Sequence, residues 1–322
     1  MTPEISIIVP TRDRPEELEG MLSSILRGGF PANRCEVIIA DNGTGGETGA
    51  LSERFKSRFG RFALVRVPKP GLHEARHAGL AAASSRLLVF ADDDIVVSDS
   101  WLASIVAAFS DDGVALVGGN NFPRFSNEPP AWLVALWRCE NRYGRCIEAL
   151  SVLDFGQRER DIPPAYVFGC NFAVRKGVVL DAGGFHPDGF PPALIKYRGD
   201  GETHVADYVR RCGYRARFVP GASVEHLVSG ERMTREYFEK RYYAEGITDS
   251  YAMLRQQGAV RRSGLAALRI PLYRCRWFVC PPALFFKKWR WWRAYRRGFR
   301  FHQEAAAQDP ALMAWVRQEN YL

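Results

Sequence analysis

Residues 87–94 read LLVFADDD. Five apolar residues with no polar alternation describe a strand covered on both faces, and such strands belong to parallel sheets packed between helices. The three aspartates stand where that strand must end. Three further apolar runs lie upstream, at 5–9 (ISIIV), 36–40 (EVIIA) and 62–67 (FALVRV). Between them, residues 15–27 repeat apolar side chains at helical spacing through Leu18, Met21, Leu22 and Ile25, and 73–83 is an Ala-rich helical stretch. This alternation predicts an α/β fold with a Rossmann-like, mostly parallel sheet and helices on both faces. Ligands of such sheets bind outside the carboxyl ends of the strands. The residues to weigh are therefore Pro10-Thr11-Arg12, Asp41-Asn42, Pro70-Gly71 and Asp92-Asp93-Asp94.

The later chain is less regular. Residues 120–164 are rich in Pro, Asn and Trp and read as loops, with one apolar helix near 132–137. A strand-like 165–174 follows, then a helix over 202–212, a strand at 217–219, and helices from about 229.

Composition narrows the class. The 322 residues are 47% hydrophobic and 25% charged, which excludes disorder and fibre. No apolar run approaches the ~20 residues of a spanning helix. The start lacks the basic region of a secretion signal. Seven scattered cysteines without a C-x-x-C suit a reducing, cytoplasmic setting. The net charge is +8, yet residues 269–301 alone carry ten Lys or Arg and no acid, so the remaining 289 are slightly acidic. The excess therefore does not describe a general coating for nucleic acid.

Three adjacent aspartates repel one another and are costly to bury unpaired. They form either a solvated turn or a site for a divalent cation held by hard oxygens. Their place at the end of an apolar strand favours the cation, Mg2+ or Mn2+, which could bridge two phosphates. Neither G-x-x-x-x-G-K-[ST] nor a G-x-G-x-x-G after the first strand is present, so metal and side chains must hold any phosphate, with Arg76 and Arg12 as candidates. A rival motif is His73-Glu74-Ala75-Arg76-His77, a formal H-E-x-x-H. Leu80 and Ala83 stand where a metzincin has its glycine and third histidine. Zinc peptidase chemistry through His73, Glu74 and His77 stays an alternative.

In order along the chain, PTRDR, ADNGT, PGLHEARHAGL, VFADDD, GCNFAVRK, GGF and GDGET resemble the landmarks of glycosyltransferase family 2. The resemblance covers about residues 3–228. It implies the GT-A fold and an inverting transfer from a nucleotide-diphospho sugar, a UDP-sugar being the expected donor. The acceptor would be a glycan or a lipid-linked molecule. By the same resemblance Thr11 and Asp41, with Pro10, Arg12 and Gly71 alongside, would contact the nucleotide, and Arg76 would lie near base or phosphates. Asp92 and Asp93 would face ribose and diphosphate. Asp94, with Asp92 and His226, would hold the metal. Gly169, Cys170 and Asn171 would line the sugar and acceptor side. Where the family has an adjacent acidic pair, this chain has Asp200-Gly201-Glu202. Either carboxylate could be the base; Glu202 is favoured and Asp200 is the alternative. Both could instead be carboxylates favoured by the helix dipole.

The basic segment 269–301 is expected to form a helix over 283–301 with Gly298 as its weak point. It places Leu284, Phe285, Trp289, Trp291, Trp292, Tyr295 and Phe299 on one face and Lys287, Arg290, Arg293, Arg297 and Arg300 on the other. That pattern suits attachment to an anionic membrane surface, aromatics at headgroup depth and cations toward lipid. A helix packed on the protein with its arginines solvated is the competing reading. The expected organisation is a GT-A domain at 1–228 and a helical region at 229–322. The expected location is the cytoplasmic face of the membrane, with no nucleic-acid partner. A non-catalytic membrane- or nucleic-acid-binding protein is the alternative from another class.

Overall fold

Every residue of β1 (Ile5–Thr11) and of β2 (Cys35–Asp41) is buried, as unbroken apolar runs require. The computed structural model describes residues 3–257 and 285–322. Between the two strands α1 (Pro15–Arg27) begins on a proline suited to a first turn and buries Leu18, Met21, Leu22 and Ile25. Next come α2 (Glu47–Phe55), β3 (Arg61–Arg66), α3 (Leu72–Ala82) and β4 (Leu87–Ala91). β1 pairs in parallel with both β2 and β4, and β2 with β3. Alternate residues face opposite layers. Ile7 and Val9 pack with Leu18, Met21 and Trp101, whereas Ile8, Leu88 and Phe90 pack with Leu80, Phe172 and Phe185.

The second half adds β5 (Ile95–Val97), α4 (Trp101–Ala108), β6 (Val114–Gly118), β7 (Asn121–Phe125) and α5 (Ala131–Trp137). Four short strands follow, β8 (Glu140–Asn141), β9 (Gly144–Ile147), β10 (Val152–Asp154) and β11 (Arg160–Ile162). Then come β12 (Asn171–Arg175), α6 (Lys176–Asp181), α7 (Glu202–Arg211), β13 (Arg215–Phe218) and β14 (Val224–Val228). The main sheet has the order β11-β13-β6-β12-β4-β1-β2-β3. Its first-half strands are parallel, but β12 lies antiparallel between β4 and β6. The reason is entry: Asn171 opens β12 opposite Ala91, the last residue of β4, so no crossover helix carries the chain back to the other end.

The expectation of loops over 120–164 is corrected. That stretch contains β7 to β11, strands of two to five residues that are too short to display a period. Most of them join a second sheet of order β5-β14-β7-β10-β9-β8. Its pairing of β14 with β5 sets His226 opposite Ile95, the residue after the aspartate triplet.

The chain continues in α8 (Arg235–Gln257), α9 (Phe285–Gln308) and α10 (Pro310–Arg317). Asp309 caps α10, its Oδ1 accepting from Ala311 N at 3.0 Å and Leu312 N at 3.2 Å. Residues 269–284 of the basic segment lie outside the described residues. Over the described part, the aromatic face is largely used within the protein. Trp291 is buried and stacks on Phe238 and Tyr242, and Ala294 and Tyr295 are buried beside it. Trp289, 53% exposed, remains outside with the side chains of Arg290, Arg293, Arg297 and Arg300. Among the described residues no helix is long and apolar enough to cross a membrane.

Candidate active site

The parallel register of β1 and β4 brings their carboxyl ends side by side. Thr11 Oγ1, from β1, donates to Asp93 Oδ2 at 2.7 Å. Arg14, which sequence reading passed over, bridges two of the aspartates. Its Nη1 donates to Asp93 Oδ1 at 2.6 Å and its Nη2 to Asp94 Oδ2 at 2.9 Å. Burial pushes the Asp93 carboxyl up to about 7, against the pull of the Arg14 charge and with the push of Asp94. Burial raises Asp92 as well, the Asp94 charge adding and Arg76 and His226 opposing. Asp94 goes the other way: burial resists its ionisation, yet the hydrogen bond and charge of His226 and the charge of Arg14 hold it below the usual carboxylate range.

His226 reaches the triplet from the second sheet. Its Nε2 lies 3.2 Å from Asp94 Oδ1 and 3.3 Å from Arg232 Nη1. A His226 ring nitrogen, an Asp92 oxygen and Cys170 Sγ all lie within 4.8 Å of one another. Asp92 and His226, two of the three residues expected to hold a metal, thus stand together although far apart in sequence, and Asp94 touches the group through His226. Two carboxylates and an imidazole suit a divalent cation. The buried Asp94 Oδ1 has no partner beyond His226, and His226 Nδ1 has none at all. These are the unsatisfied atoms that an ion's ligands would show without it.

Glu202 opens α7 after Gly201, whose φ of 51° is reached at little cost only by glycine. Its Oε2 accepts from Arg76 Nη1 at 3.0 Å and its Oε1 from Gly169 N at 3.2 Å. A Cβ on Gly169 would lie 2.2 Å from Arg76 Nη2, so only glycine lets these groups close up. Arg76 is buried on α3 over the Phe185 ring, and its charge acts on both Glu202 and Asp92. Asp200, two residues away, faces different surroundings. Its Oδ1 lies 2.5 Å from His186 Nδ1, and the His186 ring stacks on His204 with centroids 3.5 Å apart. Burial works against the Asp200 charge, and His186 more than offsets it, leaving the carboxyl below its ordinary range. Glu202 therefore belongs electrostatically with the triplet, and Asp200 with the histidine pair.

Several expected contacts find other employment. Asp41 is buried and both oxygens are engaged, one by Gly43 N at 2.7 Å and the other by Arg66. It shapes the turn after β2. Asn171 is 2% exposed, accepts from Trp101 Nε1 at 3.0 Å, and donates to Ala222 O at 2.9 Å and Asn121 Oδ1 at 3.2 Å. Its side chain ties the two sheets together. Pro10 sits within β1 opposite Ala40. Arg12 is exposed, 3.9 Å from Asp13. Gly71 starts α3 at a φ of 131°. The zinc-peptidase reading is corrected: His77 Nε2 accepts from Phe185 N at 2.8 Å, and His73 Nδ1 lies 3.2 Å from Asp188 O. The two rings anchor the 185–188 segment, and among the described residues neither belongs to a group of three side chains that could hold a metal ion.

Residues 6–183 match the family described as Glycosyl transferase family 2. The chain belongs to this family. This family 2 chain is 28% identical over 234 residues to the Pre-mycofactocin glycosyltransferase of Mycobacterium tuberculosis, covering 69% of this chain and 42% of that protein. It is 29% identical over 119 residues to Glycosyltransferase AglE of Haloferax volcanii, covering 37% of this chain and 39% of AglE. The chain thus spans about two fifths of the length of these two relatives. Against Succinoglycan biosynthesis protein ExoM of Rhizobium meliloti the identity is 26% over 268 residues, 83% of this chain and 81% of ExoM. Among solved structures, Mannosyltransferase PcManGT from Pyrobaculum calidifontis in complex with GDP-Man and Mn2+ superposes with a TM-score of 0.56 at 19% identity. That match covers 97% of this chain and 76% of PcManGT, and the shared fold is GT-A.

Proposed function

We propose that this family 2 chain is a metal-dependent, inverting glycosyltransferase that moves a sugar from a nucleoside-diphospho sugar to a glycan or lipid-linked hydroxyl. The observation that carries the reading is the juxtaposition of Asp92 with His226, which Asp94 also contacts, and the link of Glu202 to the same cluster through Arg76. Asp92, Asp94 and His226 would hold Mg2+ or Mn2+, which when bound supplies positive charge to the diphosphate. Thr11, Arg14, Arg76 and Asp93 line the donor side. Glu202 takes the proton of the acceptor hydroxyl as its oxygen attacks the anomeric carbon, and the bond to the diphosphate breaks on the opposite face. Anchored by Arg76 and Gly169, the Glu202 carboxylate keeps lone pairs for that proton. The fold shared with a mannosyltransferase solved in complex with GDP-Man and Mn2+ supports the reading. A panel of UDP- and GDP-sugars with Mn2+ is the test. Turnover of one donor that disappears with chelator is expected, and no turnover across the panel would overturn the proposal.

In this reading residues 1–228 form the catalytic part and 229–322 the helical attachment. The exposed Arg290, Arg293, Arg297 and Arg300 with Trp289 support contact with an anionic membrane surface, which would place the work at the cytoplasmic face. Each cation near such a surface contributes about 1 kcal/mol. Co-sedimentation with anionic but not neutral vesicles is expected. Equal pelleting of wild type and a variant with Arg293, Arg297 and Arg300 changed to Gln would refute it.

A further inference from the structure

The cation site gathers more than oxygen and nitrogen. Cys170 immediately precedes β12, and its Sγ stands with an Asp92 oxygen and a His226 nitrogen, all three within 4.8 Å of one another. Ligands bonded to one ion at about 2.0–2.3 Å stand about 3–4 Å apart, so modest side-chain movement closes the set. The thiol is weakly engaged by the protein itself: Asn121 Nδ2 donates to it at 3.3 Å, and it reaches Ser151 O only at 3.8 Å. Around it the polar atoms are short of partners. His226 is 1% exposed with no hydrogen bond at Nδ1, and Asp94 Oδ1 has nothing beyond His226. For packing alone a small apolar residue would serve at this position; the thiol adds a soft donor to an otherwise hard site.

We infer that Cys170 is a ligand of this cation site, giving it a sulfur donor that favours borderline divalent ions such as Zn2+ and Co2+ over Mg2+. The inference rests on the metal site proposed above. Thiolate and imidazole select such ions, whereas Mg2+ keeps to oxygen and gives up its water reluctantly. Binding releases the thiol proton to solvent as the sulfur–metal bond forms.

The full chain, freed of metal with chelator, is titrated with Co2+ and followed by absorption spectroscopy and calorimetry. The wild type is expected to show a near-ultraviolet sulfur-to-cobalt charge-transfer band. Cys170→Ser should lack the band and bind Co2+ on the order of tenfold more weakly, with Mg2+ binding little changed. Cys170→Ala, checked for native circular dichroism, repeats the comparison without a buried hydroxyl. Co2+ bound without the band, or a band that persists in both variants, overturns the Cys170 assignment while the cation site stands. Failure of Co2+, Mn2+ and Mg2+ alike to bind overturns the cation site itself.

Discussion

Gly246 and Gly298 lie face to face where α8 and α9 cross. A Cβ on Gly298 would stand 1.9 Å from Tyr243 O, and one on Gly246 2.0 Å from Tyr295 O. The helices thus meet backbone to backbone, and Gly298, which on helix propensity alone is the weak point of α9, is what allows their contact. Gly298→Ala should cost about 1–3 kcal/mol of stability through overpacking, although the same change in an isolated helix gains up to ~1 kcal/mol. Urea unfolding reads the sign. A variant as stable as wild type, or more so, would contradict this account of the crossing.

Glu202 and Asp200 are separable by mutation. Glu202→Gln keeps size and removes the base, so turnover should fall on the order of 10²–10⁴-fold with donor affinity nearly unchanged. Asp200→Asn should act on stability, because His186 loses its charged partner in a buried site. Undiminished turnover in Glu202→Gln, alongside lost turnover in a fully stable Asp200→Asn, would reverse the two roles.

Arg14 competes with a cation for Asp94. Its guanidinium occupies Asp94 Oδ2 from a side chain that is 40% exposed. Arg14→Gln should therefore tighten Mn2+ binding to the donor-free chain. Hydrogen bonds to charged groups are worth roughly 1.5–3 kcal/mol, which corresponds to about tenfold or more in affinity. Calorimetric titration that finds weaker Mn2+ binding instead would make Arg14 a supporter of the site and not its occupant.

Acid should destabilise the fold through its buried histidines, whose three lowered pKa values outweigh the opposite contribution of Asp93, raised to about 7. Burial lowers His302 to about 4, and His77 and His204 likewise to about 4, from 6.5 in an unfolded chain. Between pH 6.5 and 4 the unfolded state binds protons that the folded state refuses, so stability rises with pH across that window and is lost on acidification through it. The urea midpoint should fall between pH 7 and 5, and His302→Gln should flatten the slope. A flat wild-type profile would count against these burials.

The fold was legible wherever a local pattern had a single physical solution. Apolar runs without alternation in 5–9, 36–40 and 87–91 can only be strands covered on both faces, and they became β1, β2 and β4. The strands between 120 and 164 were illegible, since two to five residues carry no period and their pairing is supplied by distant partners such as β14. Within the site, residues adjacent to a strand end could be read. Arg14 could not be weighed, and Cys170 could be placed only with the sugar and acceptor side and not as a ligand, because an arginine after a strand and a lone cysteine are ambiguous until neighbours are known.

By itself, then, the sequence determined the parallel half-sheet and the position of Asp92, Asp93 and Asp94 at its carboxyl edge, since burial of an apolar strand leaves charge no other place to stand. Tertiary structure alone decided which groups meet that edge. Pairing of β14 with β5 delivered His226 to Asp94, and Arg76 drew Glu202, not Asp200, toward the cluster. It also turned Asn171 inward and folded Trp291 against Phe238. Those outcomes depend on strand register and helix crossing between segments far apart in the chain, where side-chain identity sets what is compatible and only the three-dimensional arrangement sets what is adjacent.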